Sequence, residues 1–538
     1  MGLFIRQQYT VVCYYTNTPE YKAIRILYMN SFTKILATFS THGARRGRFS
    51  GFLHAAAFGW LFLIPASAIA GPVYLPQSAN LTYGDVTHGQ RVLSASSNPA
   101  AAAADVVRGQ GRSTNGTVLS LGAGLEYGNM QEIFNAIDEI ALLFKPSDPG
   151  AGGDAPGQNP GSKPDDGLDI SDIIDLLDPD IQQALNDLAE EVLTQAVLLA
   201  VINNEGYGKA FASADAPFVI GRELMGGAWT FGLNWSGTSK AFGVVQNVQF
   251  DSDTALSQLE KIFNLQPGDP PQEFDLSGDI VVKVDPANNS ASLSFTNDSS
   301  MVTKASKTTE INMGYSRQIW KGHAGSLLLG ARLRALLMEL SRLSVRFGDI
   351  TDSDELLDSI RNNKFESDNE MSIDVGALWV AGNYQFGIQF TNINQPDFKF
   401  PHVDLTPYKN RGVIEFLQRD RKYIMERQVK LEASLFSNDR RWTANLGLDT
   451  NEVPDPMGDK FQWLTLSGGY ATESWWLPGA RIGYRKNLAG TRLGYLGAGV
   501  TVIKIVNIDV ASTLDTVTIN GNKLPRGLMA SVGIQIAW

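Results

Sequence analysis

The chain carries a single cysteine, Cys13, in 538 residues. One thiol excludes an internal disulfide scaffold, a C-x-x-C redox pair and a cysteine-ligated metal. Histidine is scarce too. There are five (His42, His54, His88, His323 and His402), and no two stand at metal-ligand spacing. The acidic stretch Asp349, Asp352, Asp354 and Glu355 lacks the Gly and the terminal Glu of a calcium-binding loop, so it reads as a solvated face. No glycine-rich loop closes on Lys-Ser/Thr, and no G-x-S-x-G nucleophile elbow occurs. Lys and Arg number 45 against 56 Asp and Glu, and the net charge of −11 argues against a nucleic-acid binder, which must neutralise phosphates. These absences predict a protein that is not an enzyme. It would have no catalytic, cofactor-binding or metal residues, no cofactor and no nucleic-acid partner.

Long apolar runs are also missing, with one exception. Gly51 to Ala70 follows Arg45, Arg46 and Arg48 and ends in Pro65-Ala-Ser-Ala68-Ile-Ala70. A basic start, a short apolar stretch and a small-x-small exit describe a secretory signal peptide cleaved after Ala70. Pro65 and the lack of a stop-transfer flank disfavour a spanning helix. Residues 1–70 are therefore read as a signal peptide with an over-extended N-terminus, Met29 being an alternative start. Cleavage there would remove Cys13 and with it any lipidated N-terminal cysteine. Nothing after Ala70 is long and apolar enough for a transmembrane helix. An exported chain of this kind can span a membrane only as a closed barrel, whose backbone groups pair internally.

Alternation at a period of two recurs along the rest of the chain. The segments are Val118–Tyr127, Ala228–Trp235, Ala241–Phe250, Thr309–Trp320, Ser326–Ser341, Met371–Val380 and Tyr384–Asn392. Gln428–Phe436, Trp442–Thr450, Gln462–Ala471, Ala480–Lys486, Arg492–Ile503, Val506–Ile519 and Arg526–Trp538 follow. That is about fourteen strands, an even number, as single-chain outer-membrane barrels require. Connections alternate in length. Those at Ser236–Lys240, Lys321–Gly325, Ala381–Asn383, Ser437–Arg441 and Thr472–Gly479 are short, and those between them are long. Short periplasmic turns against long extracellular loops are what such a barrel produces, and the parity leaves Trp538 at the periplasmic end. The predicted fold class is all-β: a transmembrane antiparallel β-barrel over residues 118–538. Two strands meet with almost no turn near Lys504.

The chain ends on Ser531-Val-Gly533-Ile-Gln-Ile536-Ala-Trp538. Leu528, Ala530, Val532, Ile534, Ile536 and Trp538 form the apolar set of this strand. A polar residue, a Gly, an apolar residue and a terminal aromatic at Ser531, Gly533, Ile536 and Trp538 resemble the C-terminal insertion signal of bacterial outer-membrane barrels. That resemblance implies barrel assembly machinery and outer-membrane lipid as partners.

Ser96-Ser97-Asn98-Pro99-Ala100, followed by three more alanines, precedes the first strand. Asn favours a side-chain-to-backbone turn, Pro fixes φ for it, and small alanines let the segment pack closely. The box Asn98, Pro99, Ala100 resembles the N-terminal hatch of FadL-like barrels, importers of hydrophobic compounds, and implies a hatch within 71–117. Arg481-Ile-Gly-Tyr484-Arg485-Lys486-Asn487-Leu488-Ala-Gly490 is similar to a strand and turn of the conjugal transfer TraF-like barrels, a related family. Gln462-Trp-Leu-Thr-Leu-Ser-Gly-Gly and Val506-Asn-Ile-Asp509-Val-Ala fit the same family. A thioredoxin-type assembly factor would need paired cysteines, so the resemblance implies a barrel and not a redox enzyme.

Met130–Phe144 and Leu168–Ile202 read as helices joined by the Gly/Pro/Asp-rich stretch Pro146–Gly167. They form an insert at 129–210, after the first strand. Ile181, Leu185, Leu188, Val192, Ala196 and Leu199 make one apolar stripe at helical spacing, which fits a hairpin packing on itself or a docking helix at the mouth. Ile393–Arg427 mixes Phe398, Phe400, Tyr408, Phe416 and Tyr423 with the charges of Arg419-Asp420-Arg421-Lys422, a composition suited to partner contact. The expected function is a non-enzymatic envelope barrel of the TraF-like family acting in assembly or passage at the cell surface. Its partners would be conjugation or envelope proteins. The alternative is a FadL-like importer of a hydrophobic solute.

Overall fold

A computed structural model describes residues 78–88, 91–108, 115–128, 206–244 and, apart from short stretches, 246–538. The signal peptide, Cys13, His42, His54, the helical insert, and Asp352, Asp354 and Glu355 of the acidic stretch lie outside the described residues. Fourteen strands close into an antiparallel barrel, each paired with its neighbours in chain order. They are β1 Gly116–Tyr127, β2 Tyr207–Leu224, β3 Gly227–Val244, β4 Ser300–Gly322, β5 Gly325–Arg346, β6 Glu366–Val380 and β7 Tyr384–Thr391. The rest are β8 Gln428–Phe436, β9 Trp442–Asp449, β10 Trp463–Tyr470, β11 Gly479–Asn487, β12 Gly494–Val502, β13 Val506–Thr513 and β14 Gly527–Ala537. The seam is β1 against β14, from Gly116↔Ala537 to Glu126↔Gly527.

The predicted count and parity hold, but three assignments differ. Ser236–Lys240 is not a turn: it is the middle of β3, paired from Ser236↔Ser213 to Lys240↔Lys209. Ser, Gly and Thr there look like turn formers, yet Ser236 and Thr238 are buried, where small polar side chains are favoured. The strand that replaces the lost one is β2, whose start at Tyr207 falls inside the bound of 210 expected for the insert. Its alanines give a weak apolar signal, and Pro217 argues against a strand. The β1–β2 ladder steps from Thr117↔Phe218 to Ser120↔Asp215, passing over Pro217, which has no N–H to donate. One strand missed and one split cancel in the count. Val506–Ile519 also divides, into β13 and a loop hairpin pairing Thr516–Ile519 with Asn522–Pro525.

Alternation sorts the strands' two faces. Leu121, Ile311, Leu466, Ile482, Val532 and Ile534 are exposed on the outer face, where lipid replaces water as the apolar solvent. Ring pairs gather at the short-turn end: Trp229–Tyr315, Trp320–Trp379, Trp442–Tyr470 and Phe218–Trp538, with centroids 5.0, 5.3, 4.9 and 5.8 Å apart. Aromatics with polar tips favour the membrane–water boundary, so these rings mark its level.

The wall is uneven. β7 to β13 have eight or nine residues each, at the short limit of about nine to eleven for a tilted membrane strand. β4 and β5 have 23 and 22. Their exposed apolar residues start at Ile311 and stop at Leu333. Ser300–Glu310 and Leu336–Arg346 therefore rise above the apolar band at the long-loop end, a tall wall facing a low one.

Candidate functional site

Among the described residues, three short helices lie inside the barrel: α1 Asn80–Tyr83, α2 Arg91–Ser97 and α3 Ala101–Arg108. α1 contacts β10 to β13, α2 contacts β1 and β2, and α3 contacts β2 to β6. Contacts on opposite sides of a closed ring place the segment across the bore, as a plug. Small residues allow this: Ala100, Ala101, Ala102, Ala103 and Ala104 are all buried.

The Asn98–Ala100 box packs closely against β5 and β6. Asn98 Oδ1 accepts the Ala100 N–H at 2.9 Å, and the Ala101 N–H donates to the Asn98 carbonyl at 2.9 Å, so the box is the turn that starts α3. The Asn98 Nδ2 amide donates to Glu432 Oε1 on β8 at 2.6 Å. Glu432 also accepts the Thr87 hydroxyl at 2.9 Å and the Thr87 N–H. Two wall glycines make the seat. A Cβ at Gly330 on β5 would lie 2.6 Å from the Ala100 nitrogen and closer still to the Pro99 carbonyl. One at Gly376 on β6 would overlap the Asn98 side chain. From β5 the Arg332 guanidinium donates to the Ser96 carbonyl at 2.7 Å and the Ser97 carbonyl at 3.3 Å. Ser316 on β4 accepts the Ala103 N–H at 3.0 Å.

The plug's first half is held on the other side of the ring. Thr82 donates to Asp509 on β13, which also pairs with Arg481 of β11; both charged side chains are almost wholly buried. The Ser467 hydroxyl donates to the Tyr83 carbonyl at 2.9 Å. Lys430 on β8 pairs with Asp85 at 3.0 Å. Desolvation acts to raise the Asp85 pKa, but the Lys430 ammonium, with the Arg485 and Arg332 charges behind it, outweighs it and the net shift is downward. Burial, and next the Arg481 charge, push His88 down to about 3, so its ring is neutral at neutral pH. His88 Nε2 lies 2.7 Å from Asn80 Oδ1, and its ring is 4.6 Å from that of Tyr83.

The terminal residues divide between the two faces of β14. Ser531 accepts the Ser78 N–H at 2.7 Å and donates to the Leu121 carbonyl at 2.9 Å. Gly533 leaves room for the Ser78 side chain. Ile536 and Trp538 point outward and are exposed. The Asn98 box and this terminus are not brought together: they hold different ends of the plug.

Two long connections also cross the bore. Residues 392–427 lean from the low wall onto the tall one. Asn410 caps helix α4 (Arg411–Arg419), accepting the Gly412 N–H at 2.8 Å, and Val413 and Leu417 are its buried face. Phe398, Phe400, Tyr423 and Met425 pack on Leu336, Met338 and Leu340 of β5, while Tyr408 packs on Val302 of β4. Four of the five aromatics expected to face a partner are thus buried against the chain's own wall. Only Phe416 is exposed. Apolar side chains on strands that rise above the lipid need a cover, and this loop supplies it. Residues 450–462 reach further, to Lys209 on β2 and Lys240 on β3. Lys209 pairs with Asp455 and, at 2.8 Å, with Asp459, which also pairs with Lys240. Phe461 joins Leu81 of the plug, Phe211, Trp463, Leu493, Tyr495 and Met529 in one apolar cluster.

Sequence reasoning singled out the box and the terminal strand but not Arg332, Glu432, Arg481, Asp509, Lys209 and Asp455. A signal was present: charge on the wet positions of otherwise alternating strands. Asp349 of the acidic stretch binds Arg346 at 2.8 Å. His323 lies in the β4–β5 turn and His402 in the β7–β8 loop.

The family described as "F plasmid transfer operon, TraF, protein" matches residues 95–449. The chain belongs to this family. The matched span takes in the Asn98 box and the strands through β9. Among solved structures, this TraF-family barrel is similar to a Pseudomonas aeruginosa FadL homologue, with 10% identity, 88% of this chain and 99% of that one covered, and a TM-score of 0.36. It is also similar to a TodX deltaS2S3 mutant monoaromatic hydrocarbon channel, with 9% identity, 87% and 98% covered, and a TM-score of 0.37. A mutant Rh. blastica porin shows 12% identity, 78% and 99% covered, and a TM-score of 0.23. No curated protein matches the chain. The TraF-family chain is an outer-membrane β-barrel, with lipid on its outer face.

Proposed function

We propose that this TraF-family barrel is a non-enzymatic envelope component whose work is done at its long-loop end, in assembly or passage at the cell surface during transfer. The observation that supports this reading is the filled bore. A plug tied to both sides of the ring and two connections folded over the mouth leave the outer surface, and not an open channel, as the working face. In this reading residues 1–70 export the chain and are cleaved after Ala70, and 71–117 form a hatch held by Asn98, Pro99 and Ala100. Residues 118–538 are inserted by the barrel assembly machinery through Ser531, Gly533, Ile536 and Trp538. The insert, bounded by β2 at Tyr207, then faces outward with the other long loops. The test is mating efficiency in a clean deletion strain, read beside surface labelling of a tag at Gly157. Reduced transfer with a labelled tag is expected. Normal transfer would remove the conjugation role, and an unlabelled tag would reverse the topology.

A second reading has its own support. The Phe211, Phe461, Trp463 and Tyr495 cluster offers an apolar seat between plug and mouth, as an importer of hydrophobic compounds requires. Under that reading a change at Pro99 alters uptake of long-chain fatty acids or aromatic hydrocarbons. Equal uptake by deletion and parent strains would sink it.

A further inference from the structure

The β9–β10 connection is tied to the far side of the barrel. β9 stands seven positions round the ring of fourteen from β2, diametrically opposite, so a contact from residues 450–462 to β2 and β3 spans the full width of the mouth. The chain prepares the contact locally. Val453–Pro454 pairs with Lys460–Phe461 as a miniature ladder. Between them Asp455 Oδ1 accepts the N–H groups of Met457 and Asp459, each at 2.9 Å, and Gly458 takes φ +93°. This turn leaves Asp455 Oδ2 and both oxygens of Asp459 free of its own backbone and aimed at the opposite wall.

The far side answers with two ammonium groups. The Lys209 side chain is only 3% exposed and touches both aspartates. Lys240 takes the second oxygen of Asp459. The apolar surroundings of both lysines are aromatic: Lys209 lies 4.7 Å over the Phe461 ring and Lys240 lies 5.0 Å over Tyr207. A lysine this buried is tolerable only while carboxylates face it. The same contact brings Phe461 into the cluster that ends at Leu81 of the plug.

We propose that residues 450–462 are a releasable strap across the mouth, and that Lys209 and Lys240 are its latch. The strap lacks the broad apolar footing of the 392–427 loop, whose aromatics bury against the tall wall. Val453, Met457 and Phe461 are its buried apolar residues, and Lys460 and Gln462 bond Asn487 and Leu488 at the end of β11. Its hold on the far wall is Phe461 and the charges. Loss of the charges therefore frees its far side while leaving the barrel and the other loop in place.

The test reads opening directly, through the rate at which trypsin cuts after Lys460 in the folded, detergent-solubilised full chain. Cleavage needs several residues of local unfolding, so it follows the open fraction. Asp455→Asn with Asp459→Asn should raise cutting at Lys460 at least tenfold. Cutting at Lys364, in the β5–β6 connection, should stay unchanged, with heat-modifiable migration retained. A second variant guards against misfolding: Lys240→Cys with Asp459→Cys in a Cys13→Ser background, its two thiols oxidised onto a bis-methanethiosulfonate spacer, since a direct disulfide lacks the reach of a Lys–Asp pair. Its oxidised form should resist cutting at Lys460 and its reduced form should be cut at least tenfold faster, on the same polypeptide. Equal rates in the oxidised and reduced forms would overturn the latch. So would an unchanged rate at Lys460 in a folded Asn variant. Mating efficiency plays no part in this readout, so failure of the latch and failure of the transfer role are separately visible.

Discussion

The plug and the strap both lie across the same bore, yet they are held differently. The plug is seated largely through its own backbone: carbonyls of Ser96, Ser97 and Tyr83 and N–H groups of Ala103 and Ser78 meet wall side chains, and wall glycines let it come close. The strap's hold on the far wall rests chiefly on side-chain charge at a single place. Many modest contacts spread over both halves of the ring make an element hard to dislodge at any one point. A few charged contacts at one place make one that a local change can free. Burial acts to raise Asp459's pKa, but Lys209 and Lys240 outweigh it and hold the group below the usual carboxylate range. For Asp455 burial prevails over the Lys209 charge, and its pKa is raised.

The comparison breaks first if the plug can be lost at a single pair. Arg481→Leu leaves Asp509 buried and uncompensated and should cost about 3–5 kcal/mol. The measurement is the urea midpoint of the heat-modifiable band. Arg481→Leu with Asp509→Leu should recover much of the loss, and a double variant as unstable as the single would refute the pair's role.

Acid is the next probe of the plug. His88 has a folded pKa of about 3, below its unfolded value near 6.5, so the unfolded chain binds the extra proton first. Stability is full above about pH 6.5 and falls as pH drops toward 3, by roughly 2–4 kcal/mol. Asp85, whose folded pKa is lowered, adds a loss of the same sign at the acid end. His88→Gln should flatten the pH 3–6.5 limb of the unfolding curve, and an unaltered limb would count against His88.

A smaller effect is expected at the seat. Gly330→Val pushes into the Pro99 carbonyl and should cost about 1–3 kcal/mol, displacing α3. Raised conductance in planar bilayers would report the displacement, while trypsin cutting at Lys460 stays at the parent rate. Smallest is Asn98→Ala, which removes the turn acceptor and the Glu432 contact for ~1 kcal/mol in the same urea assay. A loss above that of Arg481→Leu would invert the ranking and make the box the plug's main anchor.

Much of the barrel was legible because lipid and lumen impose opposite demands on successive residues. Gln428–Phe436 and its two-sided connections could be read directly. β2 could not, since alanine is nearly neutral on a lipid face and Pro217 carries a contrary local preference. β3 was split because Ser236-Gly-Thr-Ser239 has the composition of a turn and the position of a lumen wall. At the site, Asn98-Pro99-Ala100 announced itself through turn chemistry. Arg332, Glu432 and the Lys209–Asp455 pair did not, because each matters only through a partner hundreds of residues away. The aromatics of 392–427 misled for a related reason: composition says that a surface is sticky, not which surface it meets.

Ser531 joins three parts of the chain at once: its own last strand, Leu121 of the first strand, and Ser78 at the plug's beginning. The seam and the seat are therefore made of the same residue. Until β14 meets β1, Ser78 has no Ser531 held in place to bind, and the plug's beginning stays untethered at that point. Full anchoring of the plug is thus timed to follow closure of the ring, so a half-built barrel carries its stopper loose at one end and a finished one has it tied.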